Sequence, residues 1–186
     1  GLGPDHRRCL VSLSRGGADA HVVREFDTVA KTFVEGGFNL PEAKSHVDWI
    51  DADTVLVGTD FGPGSLTDSG YPRLVKHWRR GQPLAAAKTV FEVQPGDMMA
   101  YASVDRTPGH ERISLVRLVD FYDNELFLLV GDRAVRVDKP ADARLSFWRE
   151  RLLIELRSDW SVGGQTFTRG PLLVADAAAN LAGERR

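Results

Sequence analysis

Residues 60–81 read Asp60-Phe-Gly-Pro-Gly-Ser-Leu-Thr-Asp-Ser-Gly-Tyr-Pro-Arg-Leu-Val-Lys-His-Trp-Arg-Arg-Gly81, and the two halves of this run obey different rules. The first half is turn chemistry. Gly62, Gly64 and Gly70 tolerate positive φ, Pro63 and Pro72 fix φ and lack a donor, and Asp60, Ser65, Asp68 and Ser69 bond nearby backbone. No helix survives that composition. The second half, Leu74 to Arg79, alternates Leu74, Lys76 and Trp78 against Val75, His77 and Arg79 until Gly81 and Pro83 stop it. A strand therefore leaves an elaborate loop, and a long glycine-rich loop between strands is either functional or a topological connector.

Working outward, the same strand-and-turn grammar recurs on both sides. Upstream, Arg8 to Ser14, His21 to Phe26, Lys31 to Val34, Ser45 to Ile50 and Thr54 to Val57 read as strands, with Leu40-Pro41 as a break. Downstream come Lys88 to Val93, Met98 to Val104, Ile113 to Phe121, Glu125 to Val130 and Ala134 to Val137. Arg144 to Arg149, Leu152 to Arg157, Phe167 to Thr168 and Leu172 to Ala175 complete the series. Ser45 to Val57 with Leu74 to Val93 forms one natural set of four, and the later strands repeat its style without repeating its sequence.

One segment fits two templates. Leu145, Trp148, Leu152, Leu156 and Trp160 describe an amphipathic helix capped by Asp142, whereas Leu152, Ile154 and Leu156 describe one face of a strand after a turn at Glu150-Arg151. The surrounding strands favour the second. The alanine-rich tail, Asp176 to Gly183, reads as a short helix or a frayed end.

Composition excludes several partners. The 186 residues suffice for one domain, with 24 basic against 26 acidic side chains and a net charge of -2, so no bulk attraction draws nucleic acid or an anionic membrane. No apolar run approaches the roughly 20 residues of a membrane-spanning helix. Cys9 stands alone, which rules out an internal disulfide and fits a reducing, cytoplasmic location. Gly1 to Arg8 has no signal-peptide pattern and no initiator methionine, so a piece of a longer chain is expected.

Chemical motifs are sparse. A nucleophile elbow needs G-x-S-x-G so that small residues allow a sharp turn beneath an exposed serine. The nearest approach, Ser12-Leu-Ser-Arg-Gly16, has serine in place of the first glycine and reads as a strand meeting its turn. Gly62-Pro-Gly64 starts like a dinucleotide loop but lacks the third glycine and the following helix. His6, His21, His46, His77 and His110 form no i, i+4 pair, so neither metal nor cofactor is expected. The basic run Lys76, His77, Arg79 and Arg80 around Trp78 reads as a solvated strand face, and most carboxylates read as turn or surface groups.

Leu10-Val-Ser-Leu-Ser-Arg-Gly-Gly-Ala-Asp19, Val23-Arg-Glu-Phe-Asp27, Trp49-Ile-Asp51, the loop from Asp60 to Arg73, and Trp78-Arg-Arg-Gly81 together resemble the propeller part of bacterial prolyl oligopeptidase family serine peptidases. The resemblance implies an all-β fold: a partial β-propeller, residues 1–186 forming about three four-stranded antiparallel blades of a larger ring. It also implies a separate α/β-hydrolase domain that carries the Ser, Asp and His triad, with short peptides as substrate. No triad position falls in the matching segment, so no catalytic residue is carried over. The expected role is a gate on peptide access; a freestanding module that binds a protein or peptide by strand addition is the alternative. The unpaired faces of a partial ring predict self-association of the isolated chain. Asp60, Ser65, Asp68, Tyr71 and Arg73 are the candidates for ordering the loop or contacting the missing domain.

Overall fold

The computed structural model describes residues 1–2 and 6–178. Backbone contacts divide the chain into two compact units, Gly1–Ser103 and Val104–Arg186.

The first unit holds two sheets. In the first, β1 (Arg8–Ser14), β2 (His21–Asp27), β3 (Thr32–Phe33) and β4 (Asn39–Ala43) gather around β2. β1 pairs with it in unbroken antiparallel register from Arg8 opposite Asp27 to Ser14 opposite His21, while β3 and β4 share its other side. Leu40-Pro41 was expected to break the chain, yet both residues lie inside β4. That strand pairs only with β2, and an outer strand tolerates a proline because one row of its N–H groups faces no partner.

The second sheet runs in chain order: β5 (His46–Asp51), β6 (Thr54–Gly58), β7 (Leu74–Arg79) and β8 (Lys88–Glu92). Every residue of β6 is buried, so apolar groups cover both of its faces. Val55 and Val57 join Val23, Phe38, Leu40, Trp49 and Trp78 in one core cluster. Phe38 stands edge-on to both tryptophans, its centroid 5.5 Å from Trp49 and 4.9 Å from Trp78. This aromatic core joins the first sheet to the second.

β9 (Met99–Asp105) carries the chain towards the second unit and belongs to a sheet with β10 (Arg112–Leu118), β11 (Asn124–Val130) and β12 (Arg133–Arg136), in the order β12-β11-β10-β9. A three-stranded sheet follows from β13 (Arg144–Trp148), β14 (Arg151–Glu155) and, after the hairpin of β15 (Trp160–Val162) and β16 (Gln165–Phe167), β17 (Leu172–Asp176). The helical template for Leu145 to Trp160 fails because burial has period two: Leu152 and Ile154 are fully buried, with Leu145 opposite Ile154. The turn falls on Arg149-Glu150, one residue earlier than expected, since Trp148 pairs with Arg151. Asp142, read as a helix cap, instead accepts a hydrogen bond from Ser158 Oγ at 2.9 Å. Of the tail, Asp176 ends β17, and residues 179–183 lie outside the described residues.

The architecture is a partial β-propeller with three four-stranded antiparallel sheets and the strands of a further group. Among the described residues no helix is long and apolar enough to cross a membrane.

Candidate functional site

The connection from β6 to β7, residues 59–73, is longer than a hairpin needs, and its own side chains hold it in shape. Asp60 Oδ1 accepts the Gly62 N–H at 2.8 Å, and the Ser65 hydroxyl accepts from the Phe61 N–H at 2.8 Å while donating to the Gly62 carbonyl at 2.6 Å. Gly62, Gly64 and Gly70 adopt φ of 105°, 79° and 76°, conformations that a β-carbon would strain. Ser65 and Thr67 are buried. Thr67 Oγ1 donates to the Met98 carbonyl at 3.0 Å and the Asp68 N–H to the Pro95 carbonyl at 2.8 Å, which ties the loop to the segment between β8 and β9.

Arg73 closes the loop at its exit. Its Nε donates to the Gly64 carbonyl at 2.9 Å, and Nη1 reaches both the Glu92 carboxylate and the Val93 carbonyl. Tyr71 points the other way, towards the turn between β1 and β2. Its hydroxyl donates to Asp19 Oδ2 at 3.0 Å, and Lys44 Nζ lies 3.9 Å from its ring centroid and 3.8 Å from Asp19 Oδ2. Of the five loop candidates, Asp60, Ser65 and Arg73 thus share an internal network, Tyr71 joins two neighbouring segments, and Asp68 is exposed.

Around Tyr71 a cleft of about 120 Å³ opens, walled by Asp19, His21, Lys44, His46, Pro72 and Met99. Three separate connections and the first residues of β2, β5 and β9 converge there, which is why spacing along the chain did not disclose Asp19, Lys44 or His46. Loss of water around the His46 ring holds it below the ordinary histidine value, with nearby His21 acting in the same direction and the Ala102 backbone and Asp48 opposing. The His46 ring also meets Tyr101 edge-on at 5.4 Å. Ser45 Oγ is engaged with Thr59 Oγ1 at 2.7 Å. The arrangement suits hydrogen-bonding and charge recognition. Among the described residues no three His, Cys, Asp or Glu side chains are placed to hold a metal ion.

The basic run near Trp78 differs from a solvated face. Trp78 is buried and its Nε1 donates to the Gln82 carbonyl at 2.8 Å, Lys76 lies over the Phe61 ring, and Arg80 forms a two-point ion pair with Glu25. Three carboxylates among the described residues, Glu25, Asp27 and Asp97, are likewise buried rather than exposed. Hydrogen bonds from the Ala30 and Val29 N–H groups and from Arg7 hold Asp27 below the usual carboxylate range, against the opposing cost of burial.

No family model matches the sequence. An uncharacterized peptidase of Sinorhizobium fredii is 36% identical over 193 residues, covering all of this chain and 27% of its own length. One of Rickettsia prowazekii is 29% identical over 182 residues, covering 89% of this chain and 25% of its own length. The structure of a post-proline cleaving enzyme from Rickettsia typhi superposes with a TM-score of 0.87 at 27% identity, over 97% of this chain and 28% of that one. A structure from work on two prolyl endopeptidases shares the fold, with a TM-score of 0.70 at 12% identity, over 96% of this chain and 26% of that one. The chain therefore spans about a quarter of the length of these relatives, and it matches the β-propeller portion of prolyl oligopeptidase-type peptidases.

Proposed function

We propose that residues 1–186 belong to one propeller and form a non-catalytic section of a cytoplasmic serine peptidase, gating the access of short peptides to a triad on a separate hydrolase domain of the same polypeptide. The observation that carries this reading is the superposition on a post-proline cleaving enzyme over 97% of this chain but only 28% of that one. Excluding folded proteins while admitting peptides is a steric task that suits braced loops on a rigid sheet stack. The self-bonded loop 59–73 is such an element, and its exposed Asp68 and cleft-facing Tyr71 are the residues assigned to contact with the hydrolase part.

The test is a series of prolyl peptides of increasing length, assayed with the longer polypeptide before and after residues 61–70 are replaced by a short Gly-Ser link. Gating predicts a steep fall in kcat/KM with length that the shortened loop relaxes. An identical length profile in both proteins refutes the gate, and unchanged stability and turnover after alanine at Asp68 or Arg73 would reduce the loop to a passive connector. The 186-residue chain by itself self-associates in this reading, because Trp148, Leu172 and Val174 are exposed on its last sheet. Light scattering that reports a monomer across a wide concentration range counts against that.

A further inference from the structure

The connection between β10 and β11 runs Val119-Asp-Phe-Tyr-Asp123, and its two aromatics are the most exposed large apolar side chains among the described residues: Phe121 at 87% and Tyr122 at 72%. Tips of tight turns ordinarily carry small or polar residues, and an aromatic ring left in water forgoes the burial of some 150–250 Å². We propose that this turn is a docking knob, whose Phe121 and Tyr122 insert into an apolar pocket with a cationic rim on a section of the longer polypeptide outside residues 1–186.

Three observations support it. The turn is organised without the aromatics. Asp120 Oδ1 accepts the N–H groups of Tyr122 and Asp123 at 2.7 and 2.8 Å, and the Val119 N–H donates to the Asp123 carbonyl at 3.0 Å. Those backbone donors also hold the Asp120 carboxyl below its ordinary range, so it stays charged. A knob whose backbone is already fixed loses little conformational freedom on docking.

Its base is equally firm. Lys139 Nζ donates to the Asn124 carbonyl at 2.6 Å, and Glu125 pairs with Arg117 at 3.2 Å and Arg136 at 2.9 Å. With those basic groups satisfied internally, the tip presents two rings bracketed by the carboxylates of Asp120 and Asp123. That pattern selects an apolar pocket with basic edges and disfavours an anionic bilayer surface.

The third observation is length. Relatives that contain this segment devote only 27% and 25% of their sequence to it, so ample polypeptide exists to supply the pocket. The proposal rests on the chain being part of such a longer protein, and not on the gate.

The experiment is hydroxyl-radical footprinting of the full-length polypeptide, read residue by residue by mass spectrometry at two protein concentrations a hundredfold apart. Docking predicts that Phe121 and Tyr122 are protected, relative to their intrinsic reactivity, as strongly as buried Phe38 and Trp49, and equally at both concentrations. In the F121A/Y122A variant, folded by circular dichroism, a patch beyond residue 186 or before residue 1 gains reactivity at least threefold. Reaction of Phe121 and Tyr122 at the rate of an unstructured peptide overturns the proposal. Protection that appears only at the higher concentration overturns it too, because it assigns the knob to a second copy. Neither reading depends on peptide length, so failure here and failure of the gate are separate results.

Discussion

The Glu25 carboxylate, 2% exposed, meets the Arg80 guanidinium through two parallel hydrogen bonds of 2.8 and 3.0 Å, joining the middle strand of the first sheet to the end of β7 in the second. Glu25 also accepts the Phe38 N–H at 3.0 Å, and Arg80 lies over the Phe38 ring at 4.7 Å. Removing Arg80 leaves the buried Glu25 carboxylate with only the longer 3.7 Å ion pair to Arg8, whereas replacing both Glu25 and Arg80 with apolar groups spares that cost. Arg80→Ala is therefore expected to destabilise the protein by about 2–3 kcal/mol, and the double change to methionine by less, in urea unfolding. A loss below about 1 kcal/mol for Arg80→Ala would show the pair to be incidental.

Gly37 extends the same argument. A β-carbon there would sit 2.8 Å from Glu25 Oε2 and 2.9 Å from Val34 Cβ, too close for either to remain in place. Gly37→Ala should push the carboxylate off Arg80 and cost about 1–3 kcal/mol. Because both changes break one contact, Gly37→Ala combined with Arg80→Ala should cost clearly less than their sum. Simple additivity in a double-mutant cycle would mean that the glycine serves the local backbone alone.

These contacts mark where sequence reasoning stopped. Strand positions were legible because β1 and β7 advertise themselves by alternation and bounding turns, and their ends were read to the residue. β4 was missed because Pro41 signals a break whenever the reader cannot know that the strand lies at an edge. The Glu25–Arg80 pair spans 55 residues, and no local pattern distinguishes an arginine that leaves a strand for solvent from one that folds back onto a buried carboxylate. The cleft around Tyr71 escaped for the same reason, since Asp19 lies 52 residues away from the hydroxyl it accepts. The loop itself was legible because glycine, proline, aspartate and serine act on neighbouring backbone, and neighbouring backbone is what a sequence displays.

Within that loop, Ser65 is the residue whose loss should be felt most. Its buried hydroxyl serves the Phe61 N–H and the Gly62 carbonyl together, and its carbonyl accepts the Arg73 N–H at 3.0 Å. Ser65→Ala leaves a buried donor and acceptor without their partner and should cost about 1–3 kcal/mol. Tyr71→Phe removes only an exposed contact with Asp19 and should cost about 0.5 kcal/mol or less. Hydrogen exchange should show the Phe61 amide opening faster in the first variant and unchanged in the second. The reverse order would place the loop's anchor at Tyr71.

Lys139 provides the pH test. Its ammonium is buried and donates to the carbonyls of Asn124, Pro140 and Ala141. Burial lowers its pKa to about 8, while Asp142, Asp123 and Glu125 pull upward and Arg136 adds to the lowering. A free lysine titrates near about 10.4, so between those two values the unfolded chain holds more protons at this site than the folded one. Stability contributed by Lys139 must then rise as pH climbs from about 8 towards 10, and its burial penalty is felt in full only below that window. Lys139→Met removes the titration while keeping a long side chain. The difference in urea midpoint between the parent protein and this variant should therefore shift in favour of the parent as pH rises from 7 to 10, because the other titrating groups cancel in the comparison. Parallel curves across that range would show that the ammonium is as well solvated in the fold as in the unfolded chain.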